Sequence, residues 1–354
     1  MTHREDTIAG FLAAQGWGDA DRTALAGDAS ARRYLRLRRG TDSALLMDSP
    51  NPAEDVVPFV AISRLLQGLG LSAPDILAGE PEAGLLLIED FGDATFTRLM
   101  DQGADPAELY RLAVDALVAL HRRFDPAPAT PLGLPRYDAA LFIEQVMLLA
   151  DVYVPAALGR AATAEERADL ERAWWSAVPD AVGFGTSLMH RDYHVDNLMR
   201  LDGRPGASAC GLLDFQNAGL GPIGYDLVSL LEDARRDVPS DLAAAMLDHY
   251  LDAFPGLDRA AFLRSYAALG AVRHTRIVAV FARLHLRDGR SGYLRHLPRV
   301  WRLLEAKLEH PALAPVRDWF DRTLPPPVRA PLFNPPTDIP PTAIPPTAIP
   351  KAHE

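Results

Sequence analysis

The chain has 354 residues, enough for two domains or one large two-lobed unit, and its 36 Lys and Arg against 47 Asp and Glu give a net charge of −11. That acidity argues against nucleic acid or an anionic membrane as the main partner. The single cysteine, Cys210, cannot form an internal disulfide, the first residues lack a secretory pattern, and no run of about 18 apolar residues stands out, so a cytoplasmic protein is expected. Residues 5–15 read as a short helix with Ile8, Phe11 and Leu12 on one face. TALAGD (23–28), RYLRLRR (33–39) and SALLMDS (43–49) are strand candidates broken by Gly27, Gly40 and Pro50, which predicts an antiparallel meander. Helical spacing returns over 54–70, and DILAGE (75–80) and GLLLIEDFG (84–92) add two strands. Residues 1–93 therefore predict a small β-rich lobe crossed by one helix.

From residue 94 the pattern turns helical. Asp105 as cap, Pro106 in the first turn and Glu108 introduce the stripe Leu109, Leu112, Leu117 and Leu120. Further helices are predicted over 137–158, 163–178, 240–253, 258–286 and 291–309, within a lobe spanning 94–323. Between them, residues 187–227 hold two short apolar runs flanked by polar, glycine-bearing loops, where chemistry tends to sit. Residues 324–354 repeat IPPTA and are rich in proline, so they predict an extended tail that closes no core.

The residues that suggest chemistry are His190, Arg191 and Asp192, then Asn197 five positions on, then Asp214 after the apolar run CGLL. Phosphoryl transfer asks for one carboxylate to orient the attacking hydroxyl and accept its proton, and for oxygen ligands to Mg²⁺ on the nucleotide phosphates. Asp192 suits the first task, and Asn197 with Asp214 the second. The strand-like segments LMRL and CGLL could form a small hairpin that aims both ligands at one point. Alone, a loop Asp is usually a turn or cap residue and a loop Asn more often serves left-handed backbone geometry than a metal; the joint spacing is what carries the inference.

HRDYHVDN with LLDF and GPIGYDL resembles the aminoglycoside phosphotransferase and choline kinase superfamily, relatives of the protein kinases, over about residues 20–310. Together with GDASARRYLRL (27–37), LLMDSP and LLIEDFGD, these segments look most like the anomeric amino-sugar kinases of bacterial cell-wall recycling. The resemblance implies an α+β, protein-kinase-like two-lobed fold with a small antiparallel-sheet N-lobe and a larger, mostly helical C-lobe. It implies ATP as co-substrate, Mg²⁺ as cofactor, and the C1 hydroxyl of N-acetylmuramate or N-acetylglucosamine as acceptor. Carried over, Asp192 is the catalytic base, Asn197 and Asp214 are magnesium ligands, and His190 and Asp226 support the catalytic loop. Asp226 also reads as a simple helix cap, and the two roles are compatible.

In the N-lobe, Gly27 and Ser30 would belong to a turn covering the phosphates, and Glu89, Asp90 and Phe91 to a hinge meeting adenine. The lysine that kinase-like folds carry on the third strand is missing: Met47 lies in that strand, and the only lysines are Lys307 and Lys351. Arg32, Arg33 and Arg36 are the nearby cations, with Arg32 and Arg36 expected on one strand face and Arg33 on the other. For the acceptor, His194 and Gln216 flank the catalytic residues. A lactyl carboxylate would favour arginine, for which Arg273, His274 and Arg276 on one helix and Arg235 with Arg236 are candidates beside the alternative of a solvated face. Other acceptors, namely an aminoglycoside, choline or homoserine, remain open, as does a catalytically dead nucleotide-binding scaffold. A monomer with a small-molecule sugar as its partner is expected.

Overall fold

The computed structural model describes residues 3–25, 32–129 and 132–329, so Gly27 and Ser30 lie outside the described residues. The chain begins with α1 (His3–Ala14), β1 (Asp21–Ala24), β2 (Arg33–Arg39), β3 (Asp42–Asp48), α2 (Pro52–Gly68), β4 (Ile76–Glu80) and β5 (Leu85–Glu89). Helices α3 (Phe96–Asp101), α4 (Pro106–Arg123), α5 (Pro126–Ala129), α6 (Ala139–Leu148), α7 (Val154–Leu158), α8 (Ala164–Trp175) and α9 (Val178–Val182) lead to β6 (Thr186–Met189). Strands β7 (Leu198–Arg200), β8 (Cys210–Leu212) and β9 (Gly219–Pro222) precede α10 (Tyr225–Leu231), α11 (Ser240–Asp252), α12 (Arg259–Asp288), α13 (Leu297–Leu308), α14 (Ala314–Thr323) and α15 (Pro326–Arg329).

These elements form two compact units. The first comprises the described residues up to Phe124 together with His194–Ala218. Its sheet is antiparallel, in the order β1-β2-β3-β5-β4. Leu35 pairs with Leu46, and Leu46 with Leu87, so the alternating apolar residues share a face. Ile8, Phe11 and Leu12 of α1 form a core with Leu37, Ala44, Leu46, Leu85 and Leu87. The predicted meander is thus present.

The N-terminal unit does not end at residue 93 as the sequence suggested. Helices α3 and α4 belong to it, along with the later strands β7 and β8. The reason is long-range pairing that periodicity cannot reveal. Arg200 N–H donates to Ala94 O at 2.9 Å, Leu212 N–H to Ser72 O at 2.7 Å, and the apolar stripe of α4 packs on β8. The predicted start of α4 holds: the Asp105 side chain accepts from Ala107 N–H at 2.9 Å, with Pro106 next to it.

The second unit holds Asp125–Tyr193 and the described residues from Gly219 onward. The 30-residue α12 is its axis, packed against α6, α9, α10 and α13. Among the described residues one helix, Ala139–Leu158, in which a π-helical turn joins α6 to α7, is long and apolar enough to cross a membrane, although Glu144 and Asp151 interrupt its apolar run. Its Phe142, Ile143, Val146, Leu149, Val152 and Tyr153 are buried in the helical core, so protein neighbours account for its apolarity.

That core encloses a charged group. Glu232 Oε1 lies 2.5 Å from Lys307 Nζ, and Glu232 Oε2 lies 2.8 Å from His274 Nε2. The Lys307 ammonium also sits 4.4 Å from the centre of the Tyr266 ring. Burial alone would raise the Glu232 carboxyl; Lys307 and His274 outweigh it and hold it at about 2, while burial lowers His274. Because the folded value lies below the ordinary 4.5, the stabilisation is present above about pH 4.5 and is lost as pH falls towards 2. Lys307→Met should leave this carboxylate without its cation and destabilise the fold by about 3–5 kcal/mol at neutral pH. Urea unfolding checks this, and an unchanged midpoint would mean that the pair contributes nothing.

Residues 324–329 do not form the predicted extended tail, and the rest of that segment lies outside the described residues. Leu324 is fully buried and Arg329 nearly so. Arg329 donates to Leu324 O at 2.6 Å, to Glu305 at 3.0 Å and to Asp321 at 2.6 Å, and Tyr153 O–H donates to Arg329 O. Proline-rich composition hid a segment anchored both by Leu324 in the helical core and by one arginine.

Candidate active site

In the second unit, β6 pairs antiparallel with β9, Met189 opposite Gly219, and delivers the chain into His190, Arg191 and Asp192. Arg191 has φ +79°, a left-handed conformation that costs a non-glycine residue about 1–3 kcal/mol and must be held by its surroundings. Asp226 does this. Its carboxylate accepts from His190 N–H at 2.6 Å and from Arg191 N–H at 2.8 Å. The cap position of α10 is Gly224, so Asp226 sits inside the first turn and its side chain serves the loop rather than its own helix. Burial pushes the Asp226 carboxyl up to about 7 against the pull of those two N–H groups, with Asp192 adding repulsion. His190 is buried and meets Tyr193 edge to face at 5.4 Å. Asp192 itself is half-buried.

The surroundings of Asp192 are cationic. The Arg191 guanidinium lies 5.7 Å from the centre of the Tyr137 ring, and its Nη2 is buried without a hydrogen-bond acceptor among the described residues. Burial and the neighbouring Arg191 charge lower the pKa of Arg276 on α12, and Asp192 partly offsets them. Arg273, expected to bind substrate, is buried; it donates to Ser229 Oγ at 2.5 Å, and its charge lowers the Asp226 carboxyl.

In the first unit, β7 and β8 form the expected antiparallel pair, with Leu198 opposite Leu212. Asn197 immediately precedes β7 and Asp214 follows β8 by two residues, so both lie at the same end of the pair, where Leu213 N–H donates to Asn197 O at 3.0 Å. Asp214 has φ +59°, a second left-handed non-glycine position. Its Oδ1 accepts from Arg32 Nη2 at 2.9 Å and from Gln216 Nε2 at 2.8 Å. The next residue, Phe215, packs on Phe59 of α2 at 4.8 Å. His194 is buried, with Nε2 3.3 Å from Asn197 Nδ2, and Thr97 of α3 donates to Asp196. Asn197 and Asp214 offer the hard oxygen donors that Mg²⁺ takes. No group of three or more His, Cys, Asp or Glu side chains able to hold a metal occurs among the described residues.

The expected hinge residues have structural partners. Glu89 pairs with Arg204, whose guanidinium lies 5.2 Å from the centre of the Phe91 ring. Asp90 accepts from Gly92 N–H at 2.9 Å and lies 2.8 Å from Arg36 Nε. Arg33 reaches Asp48, which also accepts from Arg4. Of the three N-lobe arginines, Arg32 therefore reaches the expected metal ligand, while the other two brace the sheet and the loop after it. Asp55, which lies 3.8 Å from Arg32, goes unnoticed in the sequence because it reads simply as an acid in the first turn of a helix.

The model of a phosphotransferase enzyme family matches residues 21–263. The N-acetylmuramate/N-acetylglucosamine kinase of Caulobacter vibrioides is 41% identical, over 92% of this chain and 98% of its own. The kinase of the same name from Pseudomonas aeruginosa is 36% identical, over 86% of this chain and 90% of its own. Among solved structures, the GDP complex of aminoglycoside 2'-phosphotransferase-IIIa has a TM-score of 0.60 at 15% identity, covering 86% of this chain and 98% of that one. Choline kinase LicA from Streptococcus pneumoniae has a TM-score of 0.58 at 14% identity, covering 87% and 100%. Identities this low speak for the fold alone, which is the antiparallel sheet and helical region expected from the sequence. With most of its length matched by the family model and by close relatives, this chain belongs to the phosphotransferase enzyme family.

Proposed function

We propose that this protein transfers the γ-phosphoryl group of ATP to the anomeric hydroxyl of N-acetylmuramate and N-acetylglucosamine, in the cytoplasm and as a monomer. The observation that carries the reading is the 41% identity to a kinase of that name over nearly the whole of both chains. Asp192 accepts the proton of the acceptor hydroxyl, the freed oxygen bonds to the γ-phosphorus, and the bond to the β–γ bridging oxygen breaks to release ADP. Asn197 and Asp214 would hold Mg²⁺, which when bound neutralises charge on the phosphates. Backbone groups around Glu89–Phe91 would meet adenine, and the turn containing Gly27 and Ser30 would cover the phosphates. His194 stays a candidate for the sugar hydroxyls.

The cations near Asp192 suit an acidic acceptor. N-acetylmuramate carries a lactyl carboxylate and N-acetylglucosamine does not, so Arg276 is the residue we assign to that group. Arg276→Ala should lower kcat/KM for N-acetylmuramate by about 10- to 100-fold, the usual worth of a charge-assisted hydrogen bond, with little change for N-acetylglucosamine. Equal losses on both sugars would remove Arg276 from that role.

The whole reading is tested by measuring ATP consumption over N-acetylmuramate, N-acetylglucosamine, choline, homoserine and kanamycin. Turnover confined to the two amino sugars supports it. Preference for another acceptor would move the specificity while keeping the kinase, and nucleotide binding without turnover on any acceptor would favour the inactive scaffold.

A further inference from the structure

We propose that Arg32 holds the nucleotide phosphates in place of the missing strand lysine, and that its pairing with Asp214 makes metal and nucleotide bind cooperatively. The inference rests on ATP as donor and Asp214 as metal ligand, and is independent of which acceptor is used.

The residue on β3 where a lysine was sought is Met47, fully buried, with Tyr34 O–H donating to its Sδ at 3.4 Å across the β2–β3 pair. That position therefore supplies no charge. Arg32 supplies one from the start of β2 instead. Its side chain is only 9% exposed, Nη2 lies 2.9 Å from Asp214 Oδ1, and Nε lies 3.8 Å from Asp55 Oδ1 on α2. Asp55 is itself fixed by Ser49, whose Oγ lies 2.5 Å from Asp55 Oδ2. One guanidinium thus links a helix carboxylate to the expected metal ligand, and Asp55 is a positioning residue for it.

The same contact creates competition. A divalent cation approaching Asp214 Oδ1 meets a guanidinium already bound to that oxygen, and the two positive charges repel. Phosphate oxygens relieve this, because the planar fork of arginine binds phosphate as readily as carboxylate. Nucleotide therefore draws Arg32 away from Asp214 while bringing the extra oxygens that the described side chains do not supply. The coupling is reciprocal: metal tightens nucleotide, and nucleotide tightens metal.

The experiment compares wild type, Arg32→Gln and Arg32→Lys by two binding measurements that need no turnover. The first titrates a fluorescent ADP analogue with Mg²⁺, and the second titrates Mn²⁺ alone. Arg32→Gln keeps a donor for Asp214 but no charge, so nucleotide affinity should fall by about 10- to 100-fold while Mn²⁺ alone binds more tightly than to wild type. Arg32→Lys should recover most of the nucleotide affinity, and its behaviour separates charge from folding if the glutamine variant is unstable. Wild-type nucleotide affinity in Arg32→Gln would overturn the proposal, as would Mn²⁺ binding no tighter than in wild type. Both results leave the kinase reading intact. Failure of the wild-type protein to bind nucleotide at all would overturn both.

Discussion

Asp192→Asn should cut turnover by about 10² to 10⁴ while leaving the fold and ATP affinity in place, the usual span for removing a positioned general base. The asparagine amide matches the carboxylate in shape and cannot take a proton, so the loss falls on kcat rather than on substrate binding. Asp192 is half-buried in a loop whose backbone is tied elsewhere, at Asp226, so its replacement leaves the loop conformation alone. Steady-state kinetics with far-UV circular dichroism check this, and near wild-type turnover would remove Asp192 from the role.

The second large effect is expected at Asp226. Asp226→Ala strips the acceptor from two buried N–H groups, those of His190 and Arg191, at about 1–3 kcal/mol each. Nothing then holds Arg191 at φ +79°, so the loop should relax and activity should fall with stability. The milder Asp226→Asn isolates the titration. Burial raises the folded value to about 7, above the ordinary 3.8, so the folded state binds the proton more tightly than the unfolded chain does. The stabilising contribution is full below about pH 4 and is lost as pH rises through about 7. Unfolding measured at pH 5 and pH 8 should therefore show wild type losing ground to Asp226→Asn at the higher pH, and a difference independent of pH would contradict the shifted carboxyl.

Much of the fold is legible locally. The alternation in RYLRLRR and SALLMDS and the Asp105–Pro106–Glu108 start describe β2, β3 and α4 almost residue by residue. Boundaries set by tertiary pairing are not legible: α4 joins the N-terminal unit because of strands that come some ninety residues later, and Leu324–Arg329 is anchored by Arg329 inside a proline-rich stretch. At the site, the spacing from His190 to Asp214 identified the loop and the β7–β8 pair, because chemistry constrains residue type there. It could not distinguish Arg32 from Arg33 and Arg36, since which carboxylate the fold brings to each of three neighbouring arginines is set by tertiary structure. For the same reason the sequence could not show that Gln216 donates to Asp214 and Arg273 to Ser229.

The central claim is phosphoryl transfer to the anomeric oxygen of an N-acetylated amino sugar. The anomeric hydroxyl is more acidic than the other sugar hydroxyls because the ring oxygen withdraws electron density, so a carboxylate such as Asp192 has less work in removing its proton, and positioning of that one oxygen sets the outcome. Phosphorus NMR of the product formed from ATP, Mg²⁺ and N-acetylglucosamine tests this most directly. The predicted result is one phosphate monoester whose phosphorus couples to the anomeric proton; a phosphate on O6 or O3 would contradict it.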